Sequence, residues 1–453
     1  MINSHERVLI GEQPYYLHLG GCLEFIKTLP DNSIDAIVSD PPAGIGFMNK
    51  DWDKDKGGRD AWVDWMSEIA KECLRVLKPG GHALVWSLPR TSHWTAYAWE
   101  NGGFEIRDNI IHIFGSGFPK SLDISKAIDK AAGAEREVVG EYQAPDGIKR
   151  QPRKSSHFQG DANPNNYDLT APATEAAKQF EGFGTALKPA HEDWWLLRKP
   201  IEKGLTIAEN CLRWGTGGLD IDGCRVNLSN DDNDLARINK KDNGLFGVGN
   251  NNNNAQQRKE NGLPAQGRFP ANLIHDGSPE VVALFPETSK AWGTATNSKD
   301  AKDKSMFKMG GVNANRYDLG GQSATRFFYC AKASPSERNK GLEGFEAVRV
   351  SDGRTDGGVG GENPRNRTNQ AKVNHHPTVK PLNLMLYLVK LISKEGDVIL
   401  DPFVGSGTTL VAAKKLGRRA IGCELEPAYW EISKARVDSV IPDLIDLAEK
   451  QAA

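Results

Sequence analysis

Three short stretches of the chain carry residue types suited to holding and acting on a small polar group. Asp40-Pro41-Pro42 follows directly on the apolar run 34–38. Proline fixes φ and has no backbone N–H, so the turn is rigid and its carbonyls are free to accept hydrogen bonds. A carboxylate beside a proline carbonyl makes two fixed acceptors. An aromatic –NH2 group needs such a pair if its lone pair is to leave the ring and face an electrophile. The second stretch, Asp401-Pro402-Phe403-Val404-Gly405-Ser406-Gly407-Thr408-Thr409, again follows an apolar run and opens a helical pattern. Its glycines let backbone approach a ligand closely, and a helix N-terminus offers free N–H groups. Glu424 ends the next apolar run, about 20 residues on, where an acidic side chain bonds ribose hydroxyls. Together these point to a nucleoside cofactor. A nicotinamide site is the rival, but Gly-Ser-Gly-Thr-Thr is not the GxGxxG spacing, and the leading Asp-Pro-Phe is foreign to that fingerprint. The third stretch, His376-Pro377-Thr378-Val379-Lys380-Pro381, reads in isolation as an ordinary turn.

Elements of α/β type must position these stretches. Residues 15–19 and 34–38 are apolar runs of strand length, and 22–29 between them has helical spacing. Trp62, Trp65, Met66, Ile69, Cys73, Val76 and Leu77 recur at three-to-four spacing, which predicts an amphipathic helix over 61–77. Lys78-Pro79-Gly80-Gly81 should stop it, and strands are expected at 82–86 and 109–114. The C-terminal end repeats the pattern, with helices at 385–393, 409–416 and 429–437 and strands at 398–400 and 419–423. Strands alternating with helices imply a parallel sheet, whose ligands sit beyond the carboxyl ends of the strands.

Between about 116 and 371 the composition shifts toward Pro, Asn and Gly, including five consecutive asparagines at 250–254. Stretches 151–168, 230–266 and 295–315 are expected to be mobile loops. More ordered pieces punctuate them at 190–200, 205–214, 270–275 and 323–330. An insertion of this size in a catalytic sheet suits substrate recognition.

Composition limits the remaining classes. The 453 residues hold 38% hydrophobic and 26% charged residues, as a globular protein does. No apolar run approaches the roughly 20 residues of a membrane helix, and the first residues lack a secretory core, so a cytoplasmic location is expected. Cys22, Cys73, Cys211, Cys224, Cys330 and Cys423 form no CxxC pair and have no nearby histidine at ligand spacing. Reduced thiols and no metal site are expected. A net charge of −2 does not advertise nucleic acid. A DNA enzyme of this charge must sort its cations onto one face. The candidate pieces are Lys149-Arg150, Arg153-Lys154, Arg198-Lys199, Lys240-Lys241, and Arg365 with Arg367.

In this order, the three stretches resemble the N4-cytosine/N6-adenine DNA methyltransferase family in its β arrangement. There a (D/N/S)PP(Y/F/W) motif comes first, then a target-recognition region, then HPTxKP and an FxGxGTT cofactor loop. The matching residues here are 40–43, 376–381 and 403–409, and the resemblance covers 1–115 and 372–453. Gly115 to Ser121 and Gly184 to Pro189 look like stretches of phage and prophage relatives. The resemblance implies a Rossmann-like methyltransferase sheet with helices on both faces and a large irregular recognition region inserted at 116–371. It implies S-adenosylmethionine as cofactor, DNA as partner, and methyl transfer to the exocyclic amine of a flipped base. A homodimer is left open.

Residue by residue, the resemblance implies that Phe403, Gly405 and Gly407 line the methionine moiety. Asp401, Ser406, Thr408 and Thr409 belong to the same loop, and Glu424 takes the ribose. Thr378 and Lys380 would reach the methionine carboxylate. Asp40, with Pro41 and Pro42, would hold the target amine. Two departures stand out. The aromatic fourth residue is Ala43, so Phe47 or Trp52 is expected to supply the stacking face for the base. The acidic residue that often follows the first strand is Gly21, so adenine contacts must come from elsewhere. Asp at the first motif position favours adenine N6, with cytosine N4 as the alternative. Relatives that methylate RNA bases or protein glutamine usually carry the cofactor loop before the catalytic motif, the reverse of this order. A catalytically inactive DNA-binding module is a further rival; Ala43 and Gly21 favour it, and intact Asp40, Gly405, Gly407 and Glu424 oppose it.

Overall fold

The structure is a computed structural model that describes residues 3–47, 50–115, 117, 121–143, 166–226, 269–283, 328–329, 333–348 and 371–441. Its strands are β1 (Tyr15–Leu19), β2 (Ile34–Ser39), β3 (Leu77–Ser87), β4 (Glu105–Ile113), β5 (Val138–Gln143), β6 (Asn166–Thr170), β7 (His191–Arg198), β8 (Leu273–His275), β9 (Phe328–Tyr329), β10 (Val398–Asp401) and β11 (Arg419–Glu424). Nine of them form one sheet in the order β1-β11-β10-β2-β3-β7-β4-β8-β9, and β5 and β6 pair separately. The class is α/β with a Rossmann-like, mostly parallel sheet. Every residue of β2 and of β10 is buried, as expected of strands covered on both faces.

Helices cover both faces. Leu384, Leu388, Leu410 and Ala413, from helices Leu382–Ile392 and Thr408–Lys415, pack on Ala36, Val38, Leu84 and Ile399. On the other face, Trp62, Met66, Ile69 and Cys73 of helix Arg59–Val76 pack on Ile37, Ala83, Val85, Leu400 and Ile421. The alternation of Ala36 and Val38 against Ile37 is the two-residue period of a strand. The predicted helices and strands of both chain ends are present. Lys78 to Gly81 does end the helix, yet it already belongs to β3. There the register with β2 slips from Ile34↔Leu77 to Ala36↔His82, which absorbs the Pro-Gly-Gly irregularity.

The sheet departs from the expected parallel arrangement at one strand. β7 lies between β3 and β4 and is antiparallel to both. The reason is topological. β4 ends at the rim where Ile113 pairs with His191, and the chain re-enters the sheet at that same rim, so β7 must run back. The carboxyl ends of β1, β11, β10, β2 and β3 share this rim with the first residues of β7.

The middle region therefore contributes strands to the sheet. Its expected ordered pieces appear as β7, helix Ile207–Trp214, β8 and β9. Of the expected loops, 230–266 and 295–315 lie outside the described residues, as do 151–165, whereas Asn166–Asp168 belongs to β6 and pairs with β5. Arg198 and Lys199 are not a free cationic patch. Arg198 bonds Glu105 at 2.6 Å, and Lys199 bonds Asn32 at 2.7 Å and the Leu77 carbonyl at 2.6 Å. The other candidate cationic pieces lie outside the described residues. Cys22, Cys73, Cys211, Cys224 and Cys423 are free thiols, and Cys330 lies outside. Among the described residues no helix is long and apolar enough to cross a membrane, and no group of three or more His, Cys, Asp or Glu side chains could hold a metal ion.

Candidate active site

A cleft of about 1080 Å³ opens at the shared rim. It is lined by Asp40, Pro41, Pro42, Phe47, Trp52, Thr378, Lys380, Asp401, Phe403, Gly405, Ser406, Thr408, Thr409 and Glu424. β2 and β10 are hydrogen-bonded neighbours, so Asp40 and the 401–409 loop leave the sheet side by side although hundreds of positions separate them in the chain. Gly407 does not line the cleft. It sits behind, at φ +82° as the N-cap of helix Thr408–Lys415, where an added Cβ would lie 3.1 Å from the Ser433 Cα.

The glycine loop is gripped from several sides. Arg436 donates to the Ser406 carbonyl and to the Ser406 and Thr408 hydroxyls, and Ser433 Oγ donates to the Gly405 carbonyl at 2.9 Å. Glu424 accepts from the Gly405 N–H and the Glu426 N–H, each at 2.8 Å. Burial pushes its carboxyl up to about 7 against the pull of those amides. Asp401 accepts from Ser39 Oγ at 2.7 Å and from the Phe403 N–H at 3.1 Å, tying the ends of β2 and β10 together. His376 lies against Tyr429 at 4.6 Å and close behind Gly405. Burial, with nearby cations, holds His376 down at about 3, so the ring is neutral.

The loop after Asp40 hangs on one carboxylate. Asp53, fully buried, accepts from the Ala43, Gly44 and Phe47 N–H groups at 2.6, 3.1 and 2.7 Å. Thr91 Oγ1 donates to the Ala43 carbonyl at 2.9 Å. Trp52 lies parallel to His376 with 6.5 Å between ring centres, and its buried indole N–H has no partner among the described residues. Asp53 was missed in the sequence; only its place ten residues beyond Ala43, in a glycine-bearing loop, hinted at it.

Lys380 lines the cleft and is paired there with carboxylates of the protein. Its Nζ is 3.3 Å from Asp40 Oδ2, 3.4 Å from Glu192 Oε2 and 3.8 Å from the centre of the Trp86 ring. Burial lifts the Asp40 carboxyl to about 6, although Lys380 pulls it down. Glu192 and Trp86 were also missed. Glu192 had a weak signal as an acid at the start of the apolar run in 190–200. The two phage-like stretches meet at the mouth of the cleft: Ser121 Oγ accepts from the Thr185 and Ala186 N–H groups, and Ala186 to Pro189 line the opening.

The fit to a nucleoside cofactor bearing a sulfonium can be judged from the lining. The acids Asp40, Asp401 and Glu424 line the cleft together with Lys380, so it offers carboxylates to a sulfonium and to hydroxyls and a cation to a carboxylate. A Cβ built on Gly21 would meet nothing within 4 Å, so the backbone there borders open room. These residues fit the group.

The sequence model of the N6/N4 DNA methylase family matches residues 34–435. The chain belongs to this family. Local similarity is higher: 64 residues are 53% identical to the type II methyltransferase M2.DpnII of Streptococcus pneumoniae, covering 14% of this chain and 24% of that protein. Another 94 residues are 35% identical to the type II methyltransferase M.BamHI of Bacillus amyloliquefaciens, covering 19% and 21%. The chain thus spans about a quarter of the length of the curated relatives it matches. Among solved structures, the cytosine-N4-specific PvuII DNA methyltransferase aligns over 94% of this chain and 86% of its own, at 14% identity and a TM-score of 0.40. The M1.HpyAVI–SAM complex aligns over 94% and 99%, at 14% identity and a TM-score of 0.35.

Proposed function

We propose that this methylase-family protein transfers a methyl group from S-adenosylmethionine to the exocyclic amine of a base in DNA, adenine N6 in the main reading and cytosine N4 in the alternative. The observation that carries the proposal is the single cleft into which Asp40 and the 403–409 loop both open from adjacent parallel strands. S-adenosylmethionine supplies a methyl group on a sulfonium leaving group. Phe403, Gly405, Ser406 and Thr408 would hold it, with Glu424 at the ribose and Thr378 close by. Asp40 and the Pro41 carbonyl accept the two N–H bonds of the target amine, so its lone pair turns out of the ring plane. The nitrogen gains positive charge as the N–C bond forms, and one proton leaves afterwards to water. Orientation and fixed charge supply most of the acceleration.

The base must leave its stack to reach Asp40, at a cost of a few kcal/mol. Phe47 and Trp52 line the cleft near Asp40 and are the candidate stacking faces. Residues 116–371, apart from the strands β7, β8 and β9 that they lend to the sheet, serve as the recognition region, and 1–115 and 372–453 supply the rest of the core. DNA as substrate implies a cytoplasmic site of action, and a homodimer is a further expectation. Methyl-labelled cofactor offered to DNA, RNA and protein acceptors tests the reading, with single-molecule sequencing to give the base. Label on DNA alone supports it; label on RNA or protein alone overturns it.

A further inference from the structure

The arrangement around Lys380 goes beyond the role of Asp40 and rests on the reading above. In the sheet order β2-β3-β7, Asp40 follows β2, Trp86 lies on β3 and Glu192 is the second residue of β7. One ammonium serves two carboxylates across this span, lying 3.3 Å from Asp40 and 3.4 Å from Glu192, above the Trp86 ring. Glu192 is held by further donors: Trp86 Nε1 at 2.7 Å and His112 Nδ1 at 3.0 Å. The side chains of Lys380 and Glu192 are only 11% and 15% exposed, so these charges act on one another with little screening by water.

We propose that Glu192 is a positioning residue for methyl transfer: it holds Lys380 on the face of Trp86 and takes up its charge, so that Asp40 keeps its orientation and a net negative charge toward the target amine. The balance is simple. Asp40 with Lys380 alone is a neutral pair and a weakened acceptor. With Glu192 added, the three groups sum to one negative charge, facing the nitrogen that gains positive charge in the reaction. A long, flexible lysine over a ring would otherwise sample many rotamers; the second carboxylate and the indole face leave it few. Glu192 itself stays ionised: burial raises its carboxyl, but Lys380, His112 and Trp86 outweigh this and hold it at about 2. The charged groups that act on Asp40 are Lys380 from the 376–381 segment, Glu192 from β7 and Asp401 from β10. His112 stands behind Glu192, and Arg90, His191 and His376 also line the cleft.

The test reads Asp40 directly. Carbon-13 carboxyl labelling of aspartate, with Asp40→Asn to assign the signal, gives its titration by NMR in the full chain. Removing the opposite charge with Lys380→Met should move it up from about 6, to about 7 or higher. Glu192→Gln removes a like charge and should move it down. Single-turnover methyl transfer should follow, with the acid limb displaced in the same two directions and the rate at neutral pH lowered in both variants. Lys380→Arg keeps the cation and should restore the limb. Glu192→Ala provides a second removal of charge should the glutamine variant fold poorly. A limb and a titration that stay put in all variants, or move the same way in both, sink the inference. If the titrations diverge as expected while transfer in the wild-type chain ignores Asp40, the cluster stands and the acceptor role falls.

Discussion

The two loops that meet in the cleft are built on different plans. The 401–409 loop is fastened by side chains from three neighbouring elements: Ser39 at the end of β2, Glu424 at the end of β11, and Ser433 and Arg436 of helix Pro427–Asp438. Among the described residues of the 40–53 loop, Asp53 collects three backbone amides with its side chain, and Thr91 is a second side-chain tie. The first arrangement suits a site that binds the same molecule at every turnover. The second, held by side chains mainly at one point, suits a loop that gives way when a bulky substrate enters and leaves, as the proposed role of Asp40 requires.

Substitutions can separate the two plans. Asp40→Ala should show the largest effect, lowering turnover by about 10² to 10⁴, while calorimetry finds cofactor affinity little changed. Undiminished turnover would remove Asp40 from the mechanism. Gly407→Val should do the opposite. Its left-handed φ of +82° and the backbone of Ser433 behind it leave no room for a side chain. A cost of about 1–3 kcal/mol in melting stability and lost cofactor binding are expected; a variant that binds and melts like the wild type would show that the grip is not needed. Asp53→Ala strands three N–H groups, so a loss of about 1–3 kcal/mol should come with reduced transfer and retained cofactor affinity. Equal loss of both would erase the distinction between the loops. The smallest effects belong to the stacking faces. Trp52→Ala or Phe47→Ala should each weaken transfer by about tenfold, from a stacking contribution of about 1–3 kcal/mol per base. Normal rates in both would discard these rings as the platform.

How much of this was legible in the sequence follows from the range of each interaction. The strands flanking Asp40 and Asp401 and their helices are local patterns of apolar residues, and the structure contains them within a few residues of the expected bounds. The meeting of residues 40 and 405 in one cleft was implied by the family resemblance, and the parallel-sheet rule placed each at a strand's carboxyl end. Glu192 and Asp53 could not be read in this way. Nothing in the spacing of Glu192 links it to Lys380, 188 positions on; only the reversed course of β7 brings it to the rim. Asp53 looks like any loop acid until its three amide partners are seen. Lys380 was legible as a candidate cation of the site, and what the sequence did not give is its pairing with Asp40 and Glu192. Arg198 and Lys199 looked available for phosphate and are instead spent inside the fold.

The pairing of Ile113 with His191 has a wider consequence. The excursion between them departs from and returns to points one strand spacing apart, about 5 Å. Doubling such a loop costs only about 0.6 kcal/mol in closure entropy. Evolution can therefore lengthen, shorten or exchange that segment as a cassette while the chemistry beneath it stays fixed, and an engineer could graft a foreign one at the same two seams.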